Sequence, residues 1–541
     1  MKGAQKSTAG TMPCCTACAA PSSANSSHQA VPTGNPSRPQ IDQTQALKNK
    51  NPDQRTINTH APLPCGLAFT ALSSALAYRL WDGNIKRFSA FHHSTHYLGT
   101  TRPTRPLMNT SPLITQSAWR WLLALLSLLV SIPLCQHYLQ IGTNAVARPI
   151  TSDFYKFYLS AQRIQQGYSM YWLVPPKLRQ GDPCHRDTPA QAAHLEHPEP
   201  SLMNLGGPEP CLGPNLNPPV FMVLMQPLLS MPYAKAWWAW AGLSSLCVML
   251  SAWLLVGRWV QRAGHLAIWT LVGSTAMFML YPTLANFTLG QVGTLLLLLL
   301  VLTWRLAYRQ QLWQAGCVLG LAISLKPFLG TLLLALAVAR QWRALTFALI
   351  TVACLAGVGA WAYGADAYLQ YMQVAKNITW TAANWNASWY GWFDRYFISR
   401  AGSDWPASAR LSWWLATACA AATLLTAGFC IHRTSHQQPD DAWDAIFALG
   451  IPASLLVSPL GWAYYLPMLA LSGIIAWRHA PDSARRMALW LPVAMCLVPV
   501  DLQASPSPLQ PAYWLGLDSL FGYTLLLHFG INLGAMAIKS R

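Results

Sequence analysis

The residues whose types could do chemistry fall in a few short stretches. Ser152-Asp153-Phe154-Tyr155-Lys156-Phe157-Tyr158, continuing to Gly167 and Tyr171, sets a carboxylate among aromatics just after the first long apolar segment. A carboxylate at a membrane face can serve as a base on a substrate held there. Its plainer reading is a helix-start carboxylate following Ser152. Gly290-Gln291 opens a leucine run, and an amide at the mouth of an apolar helix bonds either a ligand or a neighbouring helix. Lys326-Pro327 ends the apolar run Cys317–Leu325. A lysine there needs water, a partner or an anion, so it either snorkels to the interface or binds phosphate. The stretch Asn386-Ala387-Ser388-Trp389-Tyr390-Gly391-Trp392-Phe393-Asp394-Arg395 combines amides, planar aromatics and a guanidinium fork. These types suit sugar hydroxyls, sugar rings and phosphate, although an interfacial aromatic belt has the same composition. Ser458-Pro459-Leu460-Gly461-Trp462-Ala463-Tyr464-Tyr465 breaks the apolar pattern between two predicted spans, as unwound helix ends do where they line a cavity.

The elements that must position these residues are membrane helices. Of 541 residues, 53% are hydrophobic and 10% charged, against about 25% charged in a soluble domain. Apolar runs recur from Trp119 to the C-terminus, which predicts an all-α fold: a polytopic membrane helix bundle of about twelve spans with interfacial helices and extracytoplasmic loops. The spans are expected near 119–139, 233–256, 266–283, 290–307, 312–326, 328–340, 343–363, 411–431, 443–457, 464–477, 487–501 and 515–536. Asp153 is expected on a short amphipathic helix in the interface. The two prolines Pro218-Pro219 fix an extended approach to a second interfacial segment.

Loop charge gives these spans a direction. Arg258, Arg262, Arg305, Arg309, Arg340, Arg343, Arg433, Arg478, Arg485, Arg486, Lys539 and Arg541 all fall on one side. The positive-inside rule makes that side cytoplasmic. The opposite side then receives every stretch named above. The formal charge of +18 reflects this pattern and does not indicate nucleic acid. Residues 1–107 hold 11 basic and 3 acidic residues. Their Ser-, Pro- and Gln-rich start reads as disordered, and Met108 is expected to be the true start. Cys14, Cys15 and Cys18 lack a second ligand pair, so no metal site is expected there. Cys184 and Cys211 share one polar loop and form a plausible disulfide if that loop is extracytoplasmic. His185, His194 and His197 of the same loop, 172–216, are metal ligands or, more simply, solvated residues.

Taken in order, these residues resemble the polyprenyl-phosphate-mannose-dependent alpha-mannosyltransferase family, integral-membrane glycosyltransferases of the GT-C class. The matching positions are Asp153-Phe154, Tyr158, Gly167, Tyr171, Asn217-Pro218-Pro219-Val220-Phe221, Gly290-Gln291-Val292-Gly293, Lys326-Pro327, Asn386-x-Ser388-x-x-Gly391-x-x-x-Arg395 and Ser458-Pro459-x-x-Trp462. Asn217 stands for an aromatic, Gly293 for a polar residue, and Tyr464 where relatives often carry histidine. The resemblance covers roughly 119–500. It implies a GT-C-like bundle and a membrane glycosyltransferase domain over 108–541, with 172–216 inserted. It further implies a polyprenyl-phosphate sugar donor, a glycan or glycolipid acceptor, and transfer with inversion outside the cytoplasm at the cell membrane. Asp153 would be the general base. Lys326 and Arg395 would bind the donor phosphate. Tyr158, Gln291, Asn386, Ser388, Trp462 and Tyr464 would contact substrate, and no cofactor or metal is called for. A transporter, flippase or ligase of a lipid-linked saccharide is the rival reading, with internal repeats and mid-membrane polar residues as its signature.

Overall fold

The computed structural model describes residues 113–149, 152–171, 215–258, 260, 263–376, 378, 381–399, 406–480, 483–499 and 517–539, all within the unit His96–Arg541. The start proposed at Met108, the segment 1–107, the Cys184–Cys211 pair and the loop histidines lie outside the described residues.

In chain order the helices are α1 (Leu113–Ala147), α2 (Asp153–Gln165), α3 (Pro219–Met225), α4 (Tyr233–Val256), α5 (Ala263–Met279), α6 (Tyr281–Leu289), α7 (Gly293–Tyr308), α8 (Leu312–Leu325), α9 (Thr331–Val338) and α10 (Trp342–Tyr363). They continue as α11 (Asp366–Lys376), α12 (Trp389–Asp394), α13 (Pro406–Gln437), α14 (Ala442–Val457), α15 (Leu469–His479), α16 (Ser483–Ala488), α17 (Trp490–Met495) and α18 (Leu520–Lys539). Among the described residues the only extended pairing is one antiparallel bridge, Asn386 with Trp462. The protein is an all-α polytopic helix bundle, as apolar sequence in lipid requires: a helix satisfies its own backbone where no water can.

Among the described residues, five helical stretches are long and apolar enough to cross a membrane: Trp121–Ala147, Tyr233–Val256, Trp342–Tyr363, Ala409–Gln437 and Leu520–Ala537. Helices α5 and α6 form a further pair bent by 73°. The other expected spans are shorter apolar helices. The expected pair 312–326 and 328–340 resolves into the 14-residue α8, a 3-10 turn Pro327–Gly330 and the 8-residue α9. Fourteen residues of helix reach only ~21 Å, short of a ~30 Å hydrocarbon layer. Proline sets both this break and the 3-10 turn Ala463–Met468, where the expected span 464–477 begins, because it lacks the N–H a continuing helix needs. Trp121, Trp361, Trp414, Leu425 and Phe429 face outward, an apolar surface suited to lipid.

Small residues set the tightest packing. Gly316 and Gly320 of α8 face Ala344 and Ala348 of α10. A Cβ at Gly316 would overlap the Ala344 carbonyl, and one at Gly320 would lie 2.7 Å from that of Ala348. Two small-x-x-x-small rows thus let the backbones touch, which fixes the end of α8, and with it Lys326.

The contacts sort the helix ends into two groups. At one end, Arg258 lies over the Tyr308 ring, 4.9 Å from its centroid. Buried Asp444 there accepts from Trp304 Nε1 (2.9 Å), Arg478 Nη1 (3.1 Å) and His479 Nε2 (2.6 Å). Asp441, Asp444 and His479 stand close enough to share a cation, but these donors already occupy the Asp444 oxygens, so the group reads as a knot tying α7, α14 and α15. At the opposite ends of α7, α8 and α14 lie Gln291, Lys326 and Ser458, with Trp462 following.

Candidate active site

Asp153 is the first residue of α2. Ser152 caps that helix: its hydroxyl accepts from the Phe154 N–H (3.3 Å) and donates to the Leu289 carbonyl (3.1 Å). The helix-start reading of Asp153 therefore holds, and the helix dipole favours a carboxylate there. Yet the side chain is turned inward and is only 6% exposed. Phe154 packs against Trp240 and Tyr233, and this anchors α2 on α4.

The turn after α6 brings Gln291 to Asp153. Gly290 adopts the left-handed conformation (φ 66°), which glycine alone takes without strain. A Cβ there would also lie 2.5 Å from that of Phe154. Trp240 Nε1 holds the Gly290 carbonyl at 2.8 Å. So placed, Gln291 donates from Nε2 to Asp153 Oδ2 at 2.6 Å. Its Oε1 is buried without a hydrogen-bond partner among the described residues. The opposite amide orientation would set that oxygen against the carboxylate, so the assignment follows from charge.

The other carboxylate oxygen meets Lys156, one turn along α2, with Nζ 3.1 Å from Oδ1. Lys156 is 6% exposed. Lys326, 7% exposed, lies within electrostatic reach of both Asp153 and Lys156. Its Nζ sits 5.5 Å from the centroid of the Tyr465 ring, within the range of a cation–π contact. Among the described residues the Lys326 ammonium makes no hydrogen bond or ion pair. Snorkelling is not what it does: it points into the protein.

A second cluster stands behind this centre. The Asn386 amide donates to the carbonyls of Thr381 (2.9 Å) and Pro459 (2.8 Å), and its oxygen accepts from the N–H groups of Ser388 (3.2 Å) and Gly461 (2.9 Å). All four of its hydrogen-bonding positions are thereby filled. Ser388 caps α12, accepting from the Gly391 N–H at 3.2 Å. Arg395 gives Nε to Ser519 Oγ (2.9 Å) and Nη1 to the carbonyls of Ala383 (2.5 Å) and Asn386 (2.9 Å). These residues form a clasp that ties the loop 381–388 to 459–463. Trp462 rides on the clasp and stacks on Tyr464, which meets Tyr465 edge-on.

The expected site residues thus fall into linked groups. Asp153, Gln291 and Lys326 share one centre. Trp462 and Tyr464 connect to it through Tyr465, which lies within electrostatic reach of Asp153. Asn386, Ser388 and Arg395 belong to the clasp. Tyr158 lies on α2 and donates its hydroxyl to the Met231 carbonyl at 2.9 Å. Sequence reasoning missed Lys156 and Tyr465. The signals were available: Lys156 lies three residues from Asp153 on one helix face, and Tyr465 adjoins Tyr464. The departure at Gly293 also has a physical reason. A Cβ there would overlap the Tyr464 carbonyl and lie 2.7 Å from Asn286 Oδ1, so Asn286 already fills the space a polar side chain would take.

The polytopic helix bundle thus gathers a carboxylate, an amide and two lysines at the ends of its helices. The family model for glycosyltransferase family 87 matches residues 215–459. A polyprenol-phosphate-mannose-dependent alpha-(1-2)-phosphatidylinositol mannoside mannosyltransferase of Mycolicibacterium smegmatis is 26% identical over 256 residues, 44% of this chain and 55% of that protein. Its namesake in Mycobacterium tuberculosis is 27% identical over 274 residues, 48% of this chain and 59% of that protein. An alpha-(1->3)-arabinofuranosyltransferase of Mycobacterium tuberculosis is 31% identical over 138 residues, 25% of this chain and 31% of that protein. The chain thus spans between about a third and somewhat over half of these relatives. No solved structure matches it. Over part of its length the chain is thus similar to glycosyltransferase family 87 and to the polyprenol-phosphate-mannose-dependent mannosyltransferases.

Proposed function

We propose that this protein is a membrane glycosyltransferase that moves a hexose, with mannose the favoured sugar, from a polyprenyl-phosphate donor to a hydroxyl of a glycan or glycolipid, inverting the anomeric carbon, at the extracytoplasmic face of the cell membrane. One observation carries the reading: a buried carboxylate, Asp153, beside a buried ammonium, Lys326, that has no hydrogen-bond partner among the described residues. An unpaired ammonium taken out of water calls for an anion, and a sugar phosphodiester supplies one.

The chemistry follows from the charges. Asp153 takes the proton of the acceptor hydroxyl as that oxygen attacks C1. The C1–O bond to phosphate breaks, and its electron pair stays on the phosphate oxygen. Base assistance of this kind is worth about 10²–10⁴-fold. Lys326 stabilises the charge that grows on the leaving phosphate. Gln291 holds Asp153 in place and offers its unpartnered oxygen to a substrate hydroxyl. Trp462 and Tyr464 are the stacked rings for sugar or lipid. Asn386 and Ser388 act by positioning, since the clasp engages their polar groups, and Arg395 braces the clasp through Nε and Nη1. Tyr158 acts by holding α2.

The test is release of polyprenyl phosphate by purified protein given a polyprenyl-phosphate mannose and mixed acceptors. Asp153→Asn is expected to abolish release. Release unchanged in that variant removes Asp153 from the mechanism. No turnover with any polyprenyl-phosphate sugar favours a carrier of lipid-linked saccharides.

A further inference from the structure

Lys156 stands among the aromatics of α2, yet its ammonium points inward at 6% exposure and sits 3.1 Å from Asp153 Oδ1. A lysine serving only solubility would extend outward from a short amphipathic helix. We infer that Lys156 is a second phosphate-binding residue: it neutralises Asp153 while the site is empty and turns to the donor phosphate when it arrives. The inference rests on the reaction proposed above.

A charge count supports it. With both lysines protonated, Asp153, Lys156 and Lys326 together carry one net positive charge. A bound sugar phosphodiester carries one negative charge, so the loaded site is neutral. After transfer, Asp153 holds the acceptor proton and is neutral, while the freed phosphomonoester carries two negative charges facing two lysines. The site is neutral again. With Lys326 alone, both states would leave a net negative charge in a buried site, and an uncompensated buried charge is strongly disfavoured. The geometry also explains why the empty site is quiet. Lys156 and Gln291 each occupy one Asp153 oxygen, and a neighbouring cation makes a carboxylate a poorer base. Donor phosphate draws Lys156 away, so Asp153 gains basicity only when there is a sugar to transfer.

The experiment compares wild type, Lys156→Met, Lys156→Gln and Lys156→Arg with a polyprenyl-phosphate mannose donor, reading donor KM, kcat and inhibition by polyprenyl phosphate. Loss of a charge-assisted contact is expected to raise donor KM and weaken product inhibition by about 10- to 100-fold. Lys156→Arg is expected to restore both in large part, since a guanidinium also binds phosphate. A packing role alone would lower the yield of folded protein or kcat without moving product inhibition, and the bulkier arginine would not rescue it. If Lys156→Met does not fold, Lys156→Gln, closer in shape, carries the same expectation. Donor KM and product inhibition within about 2-fold of wild type in both neutral variants overturn the inference. In that case wild-type turnover together with an inactive Asp153→Asn leaves the proposed reaction standing, whereas an inactive wild type removes the reaction itself.

Discussion

Gln291 shows how much one side chain decides at this site. Its Nε2 fixes one Asp153 oxygen at 2.6 Å, and no other polar contact of that side chain competes. Replacing it removes a hydrogen bond to a charged group, worth about 1.5–3 kcal/mol. Gln291→Leu is therefore expected to lower kcat/KM by about 10- to 100-fold with little change in melting temperature, read by donor turnover and a thermal melt in detergent. Gln291→Glu is expected to be worse. It sets a second carboxylate against Asp153, and two such groups cannot both remain ionised at that spacing. Equal activity of the two variants would show that Asp153 does not depend on this contact. Gly290 belongs to the same scale. Its positive φ and its approach to Phe154 are what allow Gln291 to face α2 at all.

Among the elements, α8 and α10 carry the argument for Lys326. The residue lies at the C-terminal end of α8, and α8 is held by its glycine face against α10. Gly320→Val would press a side chain onto the Ala348 carbonyl and Thr351, and overpacking of this kind costs about 1–3 kcal/mol. The expected result is a lower melting temperature together with reduced turnover, because the end of α8 shifts with the helix. The same substitution at Gly357 of α10, where a Cβ would meet nothing within 4 Å, is the control and is expected to leave both close to wild type. A melting temperature unchanged by Gly320→Val would dismiss the tight contact. The clasp is an element of the same standing. Asn386 and Arg395 join a loop to a segment more than 70 residues downstream, and it is this joint that presents Trp462.

At the scale of the whole molecule, the bundle has a basic end and an end that holds Asp153, Gln291 and Lys326, the proposed reacting end. Helix α7 links them, with Gly293 beside the Tyr464 carbonyl and Tyr308 beneath Arg258. Its 16 residues span about 24 Å. Reading the arginine end as cytoplasmic predicts which residues a membrane-impermeant maleimide can reach in intact cells, in a background lacking the native cysteines. A cysteine at exposed Gln166 is expected to label from outside, and one at exposed Gln311 only after permeabilisation. The reverse pattern would put the reacting end in the cytoplasm and end the proposal of an extracytoplasmic lipid-linked donor.

Much of this was legible in one dimension. Hydropathy and proline are local properties, so the helical class and the ranges of α4 and α10 could be read directly. Asp153, Gln291 and Lys326 were visible for the same reason: each is a polar group that an apolar helix end does not explain. Which of these groups meet is not local. Gln291 and Asp153 are 138 residues apart, and no pattern within either segment encodes their contact. The fold alone turned Lys156 inward, placed Tyr465 beneath Lys326, and drew Asn386 and Arg395 into a clasp, because a side chain's partner is set by the packing of distant helices.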